Sequence, residues 1–237
     1  MKNGDLYLMP VWLGEHGGIE QLPPENIALA ARITLYFCEH EKTARKMLRR
    51  MVPDIDMASL LMHRLDKDTT PAEARTLLAE LANGKDGAII SEAGMPGIAD
   101  PGALLVQMAH TNGIHVHPLT GPSSLFLALA ASGLNGQHFT FVGYLPRSTE
   151  ERKQMIKRLE GEVERTGAAQ LMIETPYRND ALLADLLQTC KPETLLCIAA
   201  DITQPNGSVI TRPVKQWRLH KEPVGKRPAV LILGRWA

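Results

Sequence analysis

Short apolar runs rich in β-branched and aromatic residues recur along the chain, and helical spacing of polar and apolar residues fills most of the intervals. The runs predict strands at 6–12, 34–38, 87–91, 114–118, 139–144, 170–174, 195–200, 208–212 and 229–233. Helical periodicity marks 41–51, 71–83, 101–112, 123–133, 149–165 and 178–189. Pro71 followed by Glu73 suits a helix start, and Asn83-Gly84 suits its stop. Alternating strands and helices imply βα units and mainly parallel sheets. No long helix separates the last two strands, so the second half is expected to add antiparallel pairing. The Pro/Gly-dense stretch His117-Pro118-Leu119-Thr120-Gly121-Pro122 divides the chain nearly in half. The expected organisation is two α/β domains, 1–118 with a mainly parallel sheet and 119–237 with a mixed one, with a ligand cleft between them.

Residues 91–102, Ser-Glu-Ala-Gly-Met-Pro-Gly-Ile-Ala-Asp-Pro-Gly, form the most informative connection. Strand-to-helix loops usually run about 2–6 residues, so a longer one stiffened by proline and opened by glycine invites a functional reading. Loops leaving the carboxyl ends of strands are where open α/β sheets bind ligands. Two further junctions repeat the theme. Thr120-Gly121-Pro122-Ser123-Ser124 precedes a helix rich in small residues, where the hydroxyls suit either an N-cap or a ligand. Glu174-Thr175-Pro176-Tyr177-Arg178 follows a strand, with Thr175 as a candidate N-cap and Pro176 as a candidate helix start.

Composition narrows the function classes. The 26 basic residues balance 26 acidic ones, so any attraction to nucleic acid must come from a local patch. Lys42, Arg45, Lys46, Arg49 and Arg50 supply one, a stripe along one side of a helix with Ala44, Met47, Leu48 and Met51 turned inward. Solvated helix faces are usually charged, and Glu39 and Glu41 lie next to the stripe, so an ordinary solvated face comes ahead of RNA contact. Cys38, Cys190 and Cys197 are too few and too scattered for a disulfide framework, which favours a reducing compartment. The apolar N-terminal run meets a proline and then Glu15, too short for a membrane span, so a cytoplasmic protein is expected. No GxGxxG, P-loop or GxSxG motif occurs. His115 and His117 share a strand face but gain no third ligand nearby in sequence, so no metal is expected. Chemistry without an evident nucleophile or metal points to a reactive cofactor.

The segments GMPGIADPG, PLTGPSSLFLALAASGL, FVGYLPR and ETPYR, in this order and spacing, resemble the tetrapyrrole methylase superfamily, most closely the branch that methylates small-subunit ribosomal RNA. The likeness runs from Leu6 to about Arg178 and then fades. It implies a homodimeric two-domain methyltransferase binding S-adenosylmethionine. Cofactor contacts implied are Pro10, Met95, Ile98, Ser123 and Ser124, with Tyr177, Ala200, Pro228 and Ala229 from the looser C-terminal match. The segment Cys38-Glu39-His40-Glu41-Lys42-Thr43-Ala44 departs from the branch pattern CEDTRHT, and Glu92 stands for Asp, Met95 for Thr and Ala99 for Ser. The acceptor therefore stays open among three readings. It is a ribose 2′-hydroxyl of the ribosomal small subunit, held by Lys42, Arg45, Lys46 and Arg49, or a tetrapyrrole or other small molecule, or the cofactor is bound without turnover. Candidate bases are the strand-end carboxylates Glu39, Asp100 and Glu174, with Asp100 more readily assigned as the cap of the following helix.

Overall fold

The computed structural model describes residues 3–220 and 222–236. The chain folds as two compact units, Met1–Ser123 and Ser124–Ala237. In the first unit the elements run β1 (Leu6–Met9), α1 (Pro24–Ala30), β2 (Leu35–Cys38), α2 (Glu41–Met51), β3 (Leu61–Arg64), α3 (Pro71–Ala82), β4 (Gly87–Ile90), α4 (Ala103–Thr111) and β5 (Val116–Pro118). All its strands pair in parallel, in the order β3-β2-β4-β1-β5. β2 and β4 are buried along their whole length, as their unbroken apolar sequences require, while the edge strands β3 and β5 stay partly exposed. α1 and α2 pack on one face with Met9, Tyr36 and Ile90. α3 and α4 pack on the other with Leu6, Phe37 and Ile89.

The second unit contains α5 (Ser124–Ser132), β6 (Phe139–Tyr144), α6 (Thr149–Thr166), β7 (Ala169–Ile173), α7 (Asn179–Thr189), β8 (Leu195–Ala200), β9 (Ser208–Pro213), α8 (Val214–His220) and β10 (Ala229–Gly234). Its sheet has the order β6-β7-β10-β8-β9, parallel between β6 and β7 and antiparallel elsewhere, so the expected mixed sheet is present. α6, α7 and α8 cover one face and α5 the other.

The periodic segments lie where the sequence places them, and the differences have local causes. The first strand stops at Met9 because Pro10 has no N–H for the ladder; Val11 makes only an isolated bridge to Gly94. α4 begins at Ala103, after Gly102 at φ 134°, not at 101. Three short elements escape the sequence pattern: α1, behind two prolines; β3, an edge strand with no alternation of burial; and α8, a seven-residue helix between β9 and β10. α3 follows its signals closely, with Thr70 and Glu73 forming a reciprocal capping box ahead of Pro71.

Candidate functional site

The loops at the carboxyl ends of β1, β4 and β5 converge. The Val11 N–H donates to the Gly94 carbonyl at 3.0 Å, joining the loop after β1 to the loop at 91–102. Gly121 lies against Pro10 so closely that a Cβ there would overlap the proline ring. A Cβ on Gly94 would sit 3.2 Å from the Pro122 carbonyl oxygen. Adjacent strands β4 and β1 thus bring Pro10 and Met95 onto one edge, with Ser123 closing the segment after β5. Pro10 is buried, Met95 half-buried and Ile98 exposed. Within 91–102 the backbone reaches φ 71° at Gly94, and Ala99 holds φ 56° without a glycine's freedom. At Gly97 a Cβ would meet nothing within 4 Å, so the main chain there is open to a ligand.

Carboxylates gather on the same edge. Glu39 follows β2, and Glu92 follows β4, with His40 Nδ1 2.8 Å from Glu92 Oε1. One donor atom from each of Glu39, His40 and Glu92 lies within 4.8 Å of the other two. Asp100 joins them from the far end of the loop. Burial, together with repulsion from Glu39 and Glu92, pushes its carboxyl up to about 6, against a lowering hydrogen bond from Ser91. Its expected capping role is not found: the N-cap of α4 is Gly102 and no side chain caps that helix. The Cys38 thiol beside this cluster is pushed up to about 11 by burial, reinforced by Glu41 and Glu92, which removes it as a nucleophile.

Glu174 has a different setting. Its carboxylate is fully buried, accepts the Thr175 N–H at 2.7 Å, and lies 3.0 Å from Arg178 Nη2. Arg178 also reaches the Pro146 carbonyl at 3.5 Å, linking ETPYR to FVGYLPR. α7 starts only at Asn179, and Arg178 occupies its N-cap without a side-chain bond, so neither Thr175 nor Pro176 has the helix-starting role expected of it. Tyr177 projects from this turn, with the Lys226 ammonium 5.1 Å above its ring. Ala200 pairs directly with Ala229, and the Asp201 N–H donates to the Pro228 carbonyl at 2.9 Å. Since β7 and β8 are both antiparallel to β10, Tyr177, Ala200, Pro228 and Ala229 share one edge of the second sheet. Ser124 opens α5 in the same unit.

The basic stripe is partly consumed by its own unit. Arg45 bonds Glu41 and the Met57 carbonyl, both at 2.8 Å. Arg50 donates to the Gly17 carbonyl at 2.6 Å and lies over the Trp12 ring, while Arg49 reaches the Pro53 carbonyl. Lys42 and Lys46 stay exposed and unpaired among the described residues. Sequence reasoning passed over His40 and Glu92 as site residues. The available signal was position: Glu92 stands just past its strand end, as Glu39 does.

Two α/β units with Gly- and Pro-containing loops at strand ends define an α/β protein of the kind that binds ligands on such loops. Residues 17–217 match the family of Tetrapyrrole (Corrin/Porphyrin) Methylases, and the chain belongs to that family of methyltransferases. The match extends well past Arg178, where the motif likeness fades. The chain is 30% identical over 201 residues to ribosomal RNA small subunit methyltransferase I of Xylella fastidiosa, covering 85% of this chain and 69% of that protein. It is 32% identical over 184 residues to the protein of the same name from Halalkalibacterium halodurans, covering 78% and 60%. Among solved structures, the methyltransferase CobJ superposes with a TM-score of 0.65 at 18% identity, covering 98% of this chain and 94% of that one, a likeness of fold. No helix among the described residues is long and apolar enough to cross a membrane.

Proposed function

We propose that this chain methylates a ribose 2′-hydroxyl of small-subunit ribosomal RNA, with S-adenosylmethionine as donor and as a cytoplasmic homodimer. The observation that carries this reading is Asp100, a carboxylate held near neutrality beside a ligand-accessible main-chain loop. The names of the relatives support small-subunit ribosomal RNA as the substrate.

Each unit, taken by itself, carries residues suited to hold part of the donor. The first unit offers Pro10, Met95, Ile98 and Ser123 around the open main chain at Gly97. The second offers Ser124, Tyr177, Ala200, Pro228 and Ala229, four of them along one sheet edge. When bound, S-adenosylmethionine supplies an electrophilic methyl group on a sulfonium, so the protein's task is alignment and exclusion of water. A hydroxyl acceptor must also lose a proton. Asp100 takes it as the oxygen gains the methyl group, and then releases it to solvent. A carboxyl tuned to about 6 is ionised at neutral pH yet basic enough to share the proton during transfer. Burial keeps it basic, with repulsion from Glu39 and Glu92 adding to the effect against the lowering hydrogen bond from Ser91. Glu174, already ion-paired and buried, holds the turn that carries Tyr177.

The bonds that Arg45 and Arg50 make within their own unit favour a second reading, in which a small molecule rather than RNA is the acceptor. Incubation with methyl-labelled S-adenosylmethionine and ribosomal subunits from a strain lacking this protein separates the two. Label in small-subunit RNA, resistant to alkaline cleavage at one nucleotide, is the expected result. Label only in a low-molecular-weight fraction would give the second reading, and donor binding without label in either would leave a protein that holds the cofactor without turnover.

A further inference from the structure

The amino ends of the strands in the first unit carry a separate cluster, at the opposite edge of the sheet from the loops around Asp100. β1 and β5 pair in parallel with Leu6 opposite Val116 and Tyr7 opposite His117. Side chains two residues apart on a strand share a face, so Asp5, Tyr7, His115 and His117 line up on one side. His117 Nε2 is 3.0 Å from Asp5 Oδ2, and the rings of His115 and His117 have centroids 4.1 Å apart. One donor atom from each of Asp5, His115 and His117 lies within 4.8 Å of the other two. The sequence reading set the two histidines aside for want of a third ligand; the β1–β5 register brings it from more than a hundred residues away.

We propose that Asp5, His115 and His117 bind a divalent transition-metal ion of the zinc type. Two imidazoles and a carboxylate are a donor set that such ions favour, with a water completing four-coordination. Donors sharing one tetrahedral zinc stand about 3.3 Å apart, as bond lengths near 2.0–2.1 Å dictate. The Asp5–His117 pair is already close to that separation. His115 is exposed and free to swing the remaining distance. The surroundings hold the other two in place. Tyr7 stacks on His117 with centroids 4.7 Å apart and planes 14° apart. The Asp5 N–H donates to Asp86 Oδ1 at 2.8 Å, fixing the segment that carries the carboxylate. Outer contacts of this kind orient metal ligands.

The local field favours a cation. Asp86 adds a second carboxylate beside Asp5, with Arg32 the cation nearby that opposes it. Lys85 nearby is neutralised by Glu80 at 2.8 Å. Tyr7, Arg32, Lys85 and Asp86 also line a cavity of about 290 Å³ next to the cluster. A metal here would clamp β5, a three-residue edge strand, onto β1. Binding to the folded chain alone raises its stability by mass action.

The test uses the full chain without a histidine tag, stripped with chelator and titrated with Zn²⁺ by calorimetry, with Co²⁺ absorption as a second readout. One ion per chain, a higher melting temperature with Zn²⁺, and visible bands of tetrahedral Co²⁺ are expected. H115A alters an exposed side chain and should weaken Zn²⁺ by at least about tenfold, as should D5N. H40A, in the Glu39–His40–Glu92 cluster, should leave binding unchanged. Absence of saturable binding, full binding by H115A, or loss of binding in H40A would each overturn the proposal. None of these measurements reads methyl transfer, so the outcome is independent of the acceptor.

Discussion

For Asp100, the burial and repulsion that suit it to the proposed role of base also make it costly to ionise. Its folded value, about 6, lies above the ordinary 3.8, so the folded protein holds this proton more tightly than the unfolded chain. The stability it contributes is fully present below about pH 4 and is lost as pH rises through about 6. D100N should therefore be more stable than the parent above that range, by about 1–2 kcal/mol after discounting for its partial exposure, and equal to it in acid. Denaturant melts at acidic and mildly alkaline pH check this. The same variant should lose about a hundredfold or more in kcat, and the activity limb that rises through about pH 6 should vanish from its pH profile. Gly121 presents the opposite case. G121A forces the loop away from Pro10, and weaker S-adenosylmethionine binding in calorimetry, with a lower melting temperature, is expected. Gly121 and the loop at 91–102 were legible because backbone chemistry is local and written in Gly and Pro. The gathering of Glu39, Glu92 and Asp100 was not, since only the order of β2 and β4 in the sheet brings them together. Asp100 itself was misjudged as a cap, because an Asp just before a helix reads identically whether it bonds the helix or faces away.

At the scale of elements, legibility followed burial. β2, β4, β8 and β10 are enclosed on both faces, and their unbroken apolar runs are unmistakable. β3 is an exposed edge whose Leu-Met-His-Arg sequence carries no period, so nothing in it announces a strand. α3 is marked at both ends, and its start is testable: T70A removes the hydroxyl that accepts the Glu73 N–H and should cost about 1 kcal/mol in urea unfolding. The link between α6 and α7 was invisible in sequence and is far more consequential. Arg152 is buried, with Nε 2.7 Å from Asp185 Oδ2 and Nη1 on the Pro146 and Arg147 carbonyls that end FVGYLPR. D185A leaves that guanidinium buried without its partner, at an expected cost of about 3–5 kcal/mol. A fall in stability much below that would show that water or the Pro146, Arg147 and Thr149 oxygens compensate. The motif segment is thus held in shape by residues outside every motif.

For the molecule as a whole, zero net charge makes RNA binding a question of which cations are free. Each phosphate neutralised contributes a slope of about −0.7 to −0.9 in log affinity against log salt. Were all five cations of the α2 stripe engaged, the slope would approach about −4. Arg45 and Arg50 are held by their own unit, and Arg49 is shared with the Pro53 carbonyl, leaving Lys42 and Lys46 as the freest contacts. If the stripe meets RNA, the slope should therefore be about −1.6, falling close to zero in K42E/K46E with little change in stability, since both side chains are exposed. R50A should instead lower stability through the lost Gly17 bond and Trp12 stacking, and alter the slope little. Filter binding of small-subunit RNA across a salt series, paired with melts of each variant, separates these effects. A parent slope already near zero would assign the stripe to solvent and move the acceptor toward a small molecule, while leaving the methyltransferase family of the chain untouched.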